Sequence, residues 1–466
     1  MDFNSLAFIL IFLPSTLLIY YFLKIITKDN KTTLNIALLI FSFVFYVYKA
    51  GFLVFFIMAV VALFHYVVCS YISYDNRSIN LLDKCGRNAL FIADISLSVI
   101  ILFFYKYCNL LNFGKDIIFP LALSFVTFSS ISFTVEVYKG NLKSSEFNII
   151  SYFLYIFLFM KMTQGPIVKY QDLKSNVDMD KFIEGIRRFT LGLAIKILIA
   201  DILAGVVATT FGNVGIIGTG LSWIGIICFT IQLFFDFSGY TDMAIGIGYM
   251  FGYELNENFN IPYLSTSITD FWRRWHMTLG TWFKNYVYIP LGGNRKGQIR
   301  TLFNLLVVFI LTGLWHGSTI NFLLWGLYFG FFMLIERMAL SKVLNNQKVK
   351  LFDWIYSLFV VMMGWVLFNS KDLESAGLFY MNLFTYQKNS SNYSLIGILS
   401  LKVTLALIAG VGLAIVYPFI KSILFPKIDS NKYYRLATTL VGICLLIVCI
   451  VFITTNSYSP SIYGGF

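Results

Sequence analysis

The chain is predicted to be an all-α, polytopic integral membrane protein with about eleven transmembrane helices. Three observations predict this. Of 466 residues, 58% are hydrophobic and only 12% charged, about half the charge of an ordinary soluble domain. Apolar runs close to twenty residues long, the length that crosses a bilayer as a helix, recur along its whole length. Phe contributes 49 residues and Tyr 29, an aromatic load that suits interfacial belts and membrane packing. A surface this apolar faces lipid, where the backbone satisfies its own hydrogen bonds in helices.

Taken in order, the apolar runs are Leu6–Leu23, Leu34–Tyr48, Phe52–Tyr71, Ala89–Leu111, Ile117–Val135, Ile149–Met160, Phe189–Thr209, Leu221–Phe235, Leu302–Leu314, Ile320–Ile335, Phe352–Phe368, Leu401–Ile420 and Leu436–Phe452. Several are too short to cross alone, so the remainder are read as re-entrant or interfacial. The first run follows Met1-Asp2-Phe3-Asn4 and its basic residues come after it, at Lys24, Lys28 and Lys31. A signal peptide has the opposite polarity, so the run is read as a retained span with its N-terminus outside. No long polar linker divides the chain, which is read as one membrane body, residues 1–466.

The formal net charge of +12 is dispersed in short clusters between apolar runs, as the positive-inside rule places it. It is not banded on one face, which argues against nucleic acid. Clusters Lys24–Lys31, Asp75–Arg87 and Lys139–Lys143 alternate as cytoplasmic loops. The stretches Lys169–Arg188 and Arg273–Arg300 break that alternation, which predicts a segment entering and leaving on one side. Six cysteines without a CxxC pair read as small core hydrophobes and not as a disulfide or zinc framework.

Residues 235–326 differ from the rest. Four of the eight tryptophans lie between Trp272 and Trp315, with two of the three histidines, His276 and His316. His316 ends an apolar run, and an ionisable group at membrane depth marks a functional candidate. Burial favours its neutral form, leaving a ring nitrogen to act as a base near neutral pH. Gly317 beside it allows close approach of backbone or ligand. His276 follows Arg273, Arg274 and Trp275 in a helix predicted to start after Thr269 or Asp270, which puts Arg273 and His276 on one face to hold a phosphate or a carbonyl oxygen. Asp236, at the end of an apolar run, needs a partner, for which an arginine of the Arg273-Arg274 pair is the candidate. Asp242 is the next unusual acid. His65 stands in an apolar run without polar sequence neighbours and reads as a core histidine.

The stretches FDFSGYTDMAIG, NFNIPYLSTSITDFWRRWHMTLGTWFKNYVYIPLGGNR and TGLWHGSTINFLLWG resemble the membrane-bound O-acyltransferase family, in particular its bacterial branch acting in alginate O-acetylation. PLALSFVTFSSISFTVEVYKG, QGPIVKY and GWVLFNSKDLESAGLF fall in the same order, so the resemblance covers most of the chain. It departs near Asn369, where arginine is frequent, and in the tail SPSIYGGF.

The resemblance implies a ring of helices around a tunnel in a bacterial inner membrane, with His316 as the essential membrane histidine and His276 as a second motif histidine. It implies O-acyl transfer from a cytosolic thioester, acetyl-CoA, with no bound cofactor or metal. In that scheme His316 takes the acceptor hydroxyl proton and His276 or Asn321 meets the carbonyl oxygen. Trp275, Trp315 and Asp236 join the substrate contacts, and Arg273, Arg274, Lys284, Arg295 and Lys296 hold donor phosphates. A separate extracytoplasmic acetyltransferase completes O-acetylation of an exported polysaccharide. The rival readings are direct transfer to glycan, a transporter or flippase without chemistry, and a scaffold for polysaccharide export.

Overall fold

The computed structural model describes the chain except residues 74–80, 109–118, 174, 177, 341–349, 390–392, 425–431 and 456–466. Residues 75–80 of the Asp75–Arg87 cluster and the SPSIYGGF tail lie outside the described residues. Among those described, eleven helices are long and apolar enough to cross a membrane. The runs Ile117–Val135 and Ile149–Met160 are not among them: they yield only the helices Leu123–Tyr138 and Ile149–Phe157. At 1.5 Å per residue the longer of these, 16 residues, reaches about 24 Å, short of the ~30 Å hydrocarbon core.

The chain packs as two compact units. The first comprises Met1–Ile186 and Ala244–Asn256. Its spans are Phe8–Ile26, Lys31–Ala50, Phe52–Ile72 and Cys85–Tyr107. Asn30 starts the second by accepting the Thr33 amide at 3.1 Å, satisfying a donor that a helix start otherwise leaves orphaned. Gly51, at φ 85° and ψ 159°, both ends that helix and begins the next, a positive-φ extended backbone that glycine adopts without Cβ strain. Side chains such as Ile11, Leu18 and Phe52 remain exposed, as a lipid-facing stripe must.

The short helices Leu123–Tyr138 and Ile149–Phe157 are buried on nearly all sides in this unit. The following residues, 158–168, are non-helical yet buried throughout. Irregular backbone of this kind is tolerated in a membrane protein only where protein or water surrounds it. Lys161 lies there, 3% exposed, with Nζ donating to Ser129 Oγ at 3.1 Å and sitting 3.8 Å from the Tyr155 ring centre.

The second unit comprises Arg187–Met243 and Glu257–Phe466. Its helices approach closely at small residues. A Cβ on Gly192 would stand 2.5 Å from the Gly239 carbonyl, and one on Gly239 would stand 2.7 Å from that of Gly192. Gly313 and Gly326 do the same for the hairpin Gln298–His316 and Ile320–Ile335. Without a hydrophobic force between helices in lipid, such backbone-to-backbone packing supplies the attraction.

Two buried carboxylates in this unit, Asp236 and Asp242, are paired. Asp236, 1% exposed, meets Lys196 at 2.7 Å, and Lys196 also pairs with Asp201. The partner of Asp236 is therefore a lysine forty positions upstream and not Arg273 or Arg274. Asp242 is held by Arg188 and by Lys421, each at 2.7 Å. An unpaired charge at such positions would cost several kcal/mol, so these contacts brace helix against helix.

Candidate active site

A cavity of about 1000 Å³ opens in the second unit, lined by residues from Thr266 to Tyr288, by Leu305–Thr312 side chains on the helix ending at His316, and by Met333, Glu336 and Arg337. The short helix Ile268–Arg274 forms one wall. Ser267 caps it by accepting the Asp270 amide at 3.0 Å. The Glu336 carboxylate closes the same end, accepting from the Ile268 amide and from the Thr269 amide (2.9 Å) and hydroxyl (2.7 Å). Negative charge at a helix start offsets both the orphan N–H groups and the dipole.

That helix stops at Arg274. Trp275 is extended, and His276 is left-handed (φ 45°, ψ 52°), opening the next helix, Met277–Phe283. Arg273 and His276 therefore do not share a helical face, because the chain breaks between them. Both nevertheless line the cavity, as do Trp275 and Lys284. A non-glycine residue in this region is strained, and the break turns His276 into the cavity wall. Arg274 instead chelates Asp270 with Nε 3.0 Å from both carboxylate oxygens, and Arg295 and Lys296 sit on the exposed turn before Gln298. Neither they nor Arg274 lines the cavity.

The protonation of His276 follows from its partner. Asn258 Oδ1 accepts from the Thr278 amide at 3.1 Å and from the Thr278 hydroxyl at 2.9 Å. An atom facing a backbone N–H is an oxygen, which settles the orientation of the amide. His276 Nδ1, 3.1 Å from the same oxygen, must then donate. The proton lies on Nδ1 and the lone pair on Nε2. Burial pushes the imidazole down to about 3, so the ring is neutral at physiological pH. In this tautomer Nε2 accepts, so His276 is a base or a hydrogen-bond acceptor. The oxyanion-donor role given to it by the sequence does not fit.

His316 ends the helix Gln298–His316 and is 3% exposed. Its ring is surrounded by Trp315, Trp325, Phe322 and Phe368, with centroids 4.6 to 6.3 Å away. It is not in the cavity wall. Trp315 links the two histidines: its ring centre is 6.3 Å from that of His276 and 4.6 Å from that of His316. The close approach that Gly317 permits is made by the Phe322 ring, 2.3 Å from where a Cβ would stand. Asn321 donates to the Ser370 carbonyl at 2.8 Å and is 1% exposed, tying two helix ends together outside the cavity. Asp236 is likewise engaged with Lys196.

The sequence reading missed Asn258, Glu336 and Arg337. Asn258 lies in the quoted stretch NFNIPY, but nothing in the linear order assigns it to His276, eighteen positions away. It also missed the partners of His65, whose Nδ1 meets Asp94 at 2.7 Å; that histidine is not without polar neighbours.

The chain matches the family model described as MBOAT, membrane-bound O-acyltransferase family, over residues 96–370. It is 32% identical to a probable alginate O-acetylase AlgI of Pseudomonas putida over the whole of both chains. It is 36% identical to the probable alginate O-acetylase AlgI of Pseudomonas aeruginosa over 83% of this chain and 75% of that one. A peptidoglycan O-acetyltransferase of Helicobacter pylori is 32% identical over 80% of this chain and 78% of its own. The transporter and scaffold readings give way to an enzyme. With its eleven candidate spans, the chain belongs to the membrane-bound O-acyltransferase family and is a multi-pass O-acyltransferase of the cell membrane.

Proposed function

We propose that this enzyme takes an acetyl group from a cytosolic thioester, acetyl-CoA, for O-acetylation of an exported polysaccharide, in concert with an extracytoplasmic acetyltransferase partner. The polysaccharide acceptor is supported by the names of its relatives, alginate O-acetylase and peptidoglycan O-acetyltransferase. The single observation that carries the donor is the charge of the cavity wall. Arg273, Lys284 and Arg337 line it. Its two acids are engaged elsewhere, Asp270 by Arg274 and Glu336 by helix amides. The surplus is cationic, suiting a phosphorylated donor.

In the proposed step an acceptor hydroxyl attacks the thioester carbonyl. The C–O bond forms, the C–S bond breaks, and the hydroxyl proton passes through an imidazole to the leaving thiolate. In this reading His316, behind Trp315 and outside the cavity wall, takes that proton, and His276, in the wall, offers Nε2 as an acceptor. In this scheme Arg273 of the cavity wall meets the donor's charge, and the aromatic walls keep water from the thioester.

The test is transfer of labelled acetyl from acetyl-CoA by the full chain in proteoliposomes, with its partner and glycan present. His316→Ala at normal abundance is expected to abolish transfer, and Arg273→Ala to raise KM for acetyl-CoA. Undiminished transfer by His316→Ala would remove that residue from the chemistry; an unchanged KM would remove the donor assignment.

A further inference from the structure

The first unit holds a second ionisable cluster, remote in sequence from the motifs of His276 and His316. His65 lies near the middle of the span Phe52–Ile72 and Asp94 near the middle of Cys85–Tyr107. They are 1% and 0% exposed. Asp94 Oδ1 is 2.7 Å from His65 Nδ1, and Oδ2 accepts from the Thr134 hydroxyl at 2.7 Å. On the far side of the ring, Nε2 is 3.3 Å from Ser98 Oγ, whose hydroxyl also donates to the Asp94 carbonyl at 3.0 Å.

Counting hydrogens defines two states. While Ser98 donates to the carbonyl, it presents a lone pair to Nε2, so Nε2 carries a proton; Nδ1 carries another toward the carboxylate. The ring is then an imidazolium beside Asp94. Remove one proton, and Ser98 turns its hydroxyl to Nε2, giving up the carbonyl bond while Nδ1–H keeps the carboxylate. Each state satisfies the polar atoms of the ring, and one proton separates them. A merely structural cluster has no need of such a pair of states, and charged side chains at this depth are otherwise expensive.

The other groups facing the pair are neutral or committed. Cys69 shares the helix of His65 and contacts Thr134 at 3.3 Å. The Tyr152 phenol on the helix Ile149–Phe157 is near enough to feel Asp94. Glu136, on the helix of Thr134, pairs with Lys169. Among the described residues, the ion pair that Asp94 makes is the one to His65.

We propose that His65, Asp94, Ser98 and Thr134 form a proton-binding site inside the membrane, loaded and unloaded during acyl transfer. The coupling rests on the reaction proposed above. There the donor sulfur is cytosolic and the acceptor hydroxyl is not, so each acyl group moved outward requires one proton to return to the thiolate. The imidazole that first takes the proton in that step must pass it on, and a membrane-embedded site that binds one proton can hold it on the way.

The full chain, labelled with ¹⁵N-histidine and held in nanodiscs, tests binding without any acyl substrate. His65→Gln identifies the His65 signals among three histidines. These signals are expected to pass from a doubly to a singly protonated ring as pH is raised across the working range. A ring that stays in one state would overturn the site. Coupling is tested by acetyl transfer in proteoliposomes under an imposed pH difference. Asp94→Asn is expected to slow transfer about tenfold, within the range of ordinary site-to-site coupling, and to flatten its response to that difference. An unaltered response would overturn the coupling. Should wild-type chain transfer nothing from acetyl-CoA, the donor assignment fails while the labelled-histidine result still decides whether a proton binds.

Discussion

Asn258 Oδ1 holds His276 Nδ1 at 3.1 Å while accepting two further hydrogen bonds from Thr278. One oxygen thus fixes the left-handed break in the backbone and the tautomer of the ring it exposes to the cavity. Replacing Asn258 by Ala frees the ring and leaves buried donors unanswered. Acetyl transfer is expected to fall about 10- to 100-fold, the usual effect of losing an orienting partner, with KM moving less than kcat.

Asn258→Asp distinguishes orientation from general damage. A carboxylate keeps the acceptor but favours the imidazolium, so the His276 pKa rises from its value of about 3. Where the neutral ring is required, activity is lost as pH falls through that pKa. Wild type should show no His276 limb above pH 5, whereas the aspartate variant should acquire an acid limb at higher pH. A pH–rate profile reads the difference.

Glu336→Ala uncaps the helix Ile268–Arg274 and abandons two amides and a hydroxyl. Each buried donor left unsatisfied costs about 1–3 kcal/mol. Thermal unfolding of the detergent-solubilised protein should shift down, and acetyl-CoA affinity should weaken with it because Glu336 is in the cavity wall.

The pair Lys196–Asp236 invites a double-mutant cycle. Lys196→Met strands Asp236, and loss of one partner of a buried pair typically costs about 3–5 kcal/mol. Adding Asp236→Asn should recover part of that loss. Simple additivity in thermal stability would show that the two charges do not support each other.

Gly326→Val forces a side chain against the Phe309 carbonyl, 2.3 Å from the first new atom. The hairpin ending at Ile335 must then open, so lower membrane abundance is expected. Gly377, where a Cβ meets nothing within 4 Å, supplies the control: its alanine variant should accumulate normally.

Much of this architecture was legible because lipid imposes a length. Apolar stretches reveal where spans run, and the two runs that do not cross are those whose helices, Leu123–Tyr138 and Ile149–Phe157, are too short. The motif region was legible through its density of tryptophan, histidine and arginine. Pairings were not. Asp236 looked toward nearby motif arginines, yet Lys196 reached it first, and His65 looked solitary because Asp94 and Thr134 arrive from other helices. Tertiary partners leave no periodic trace in one sequence. The break at Trp275 and His276 was hidden for a different reason: FWRRWHMTLG reads as a continuous helix until Asn258, from upstream, takes the Met277 and Thr278 amides.

The helix Leu123–Tyr138 carries a consequence for biogenesis. It presents Ser124, Thr127, Ser129, Ser130, Ser132, Thr134 and Glu136, all buried by neighbouring protein. Released sideways from a translocation channel, such a segment has little reason to partition into bilayer by itself. Its insertion must await companions already in place, so a nascent chain interrupted just after it should be recognised by quality-control proteases, while one interrupted after the preceding span should persist.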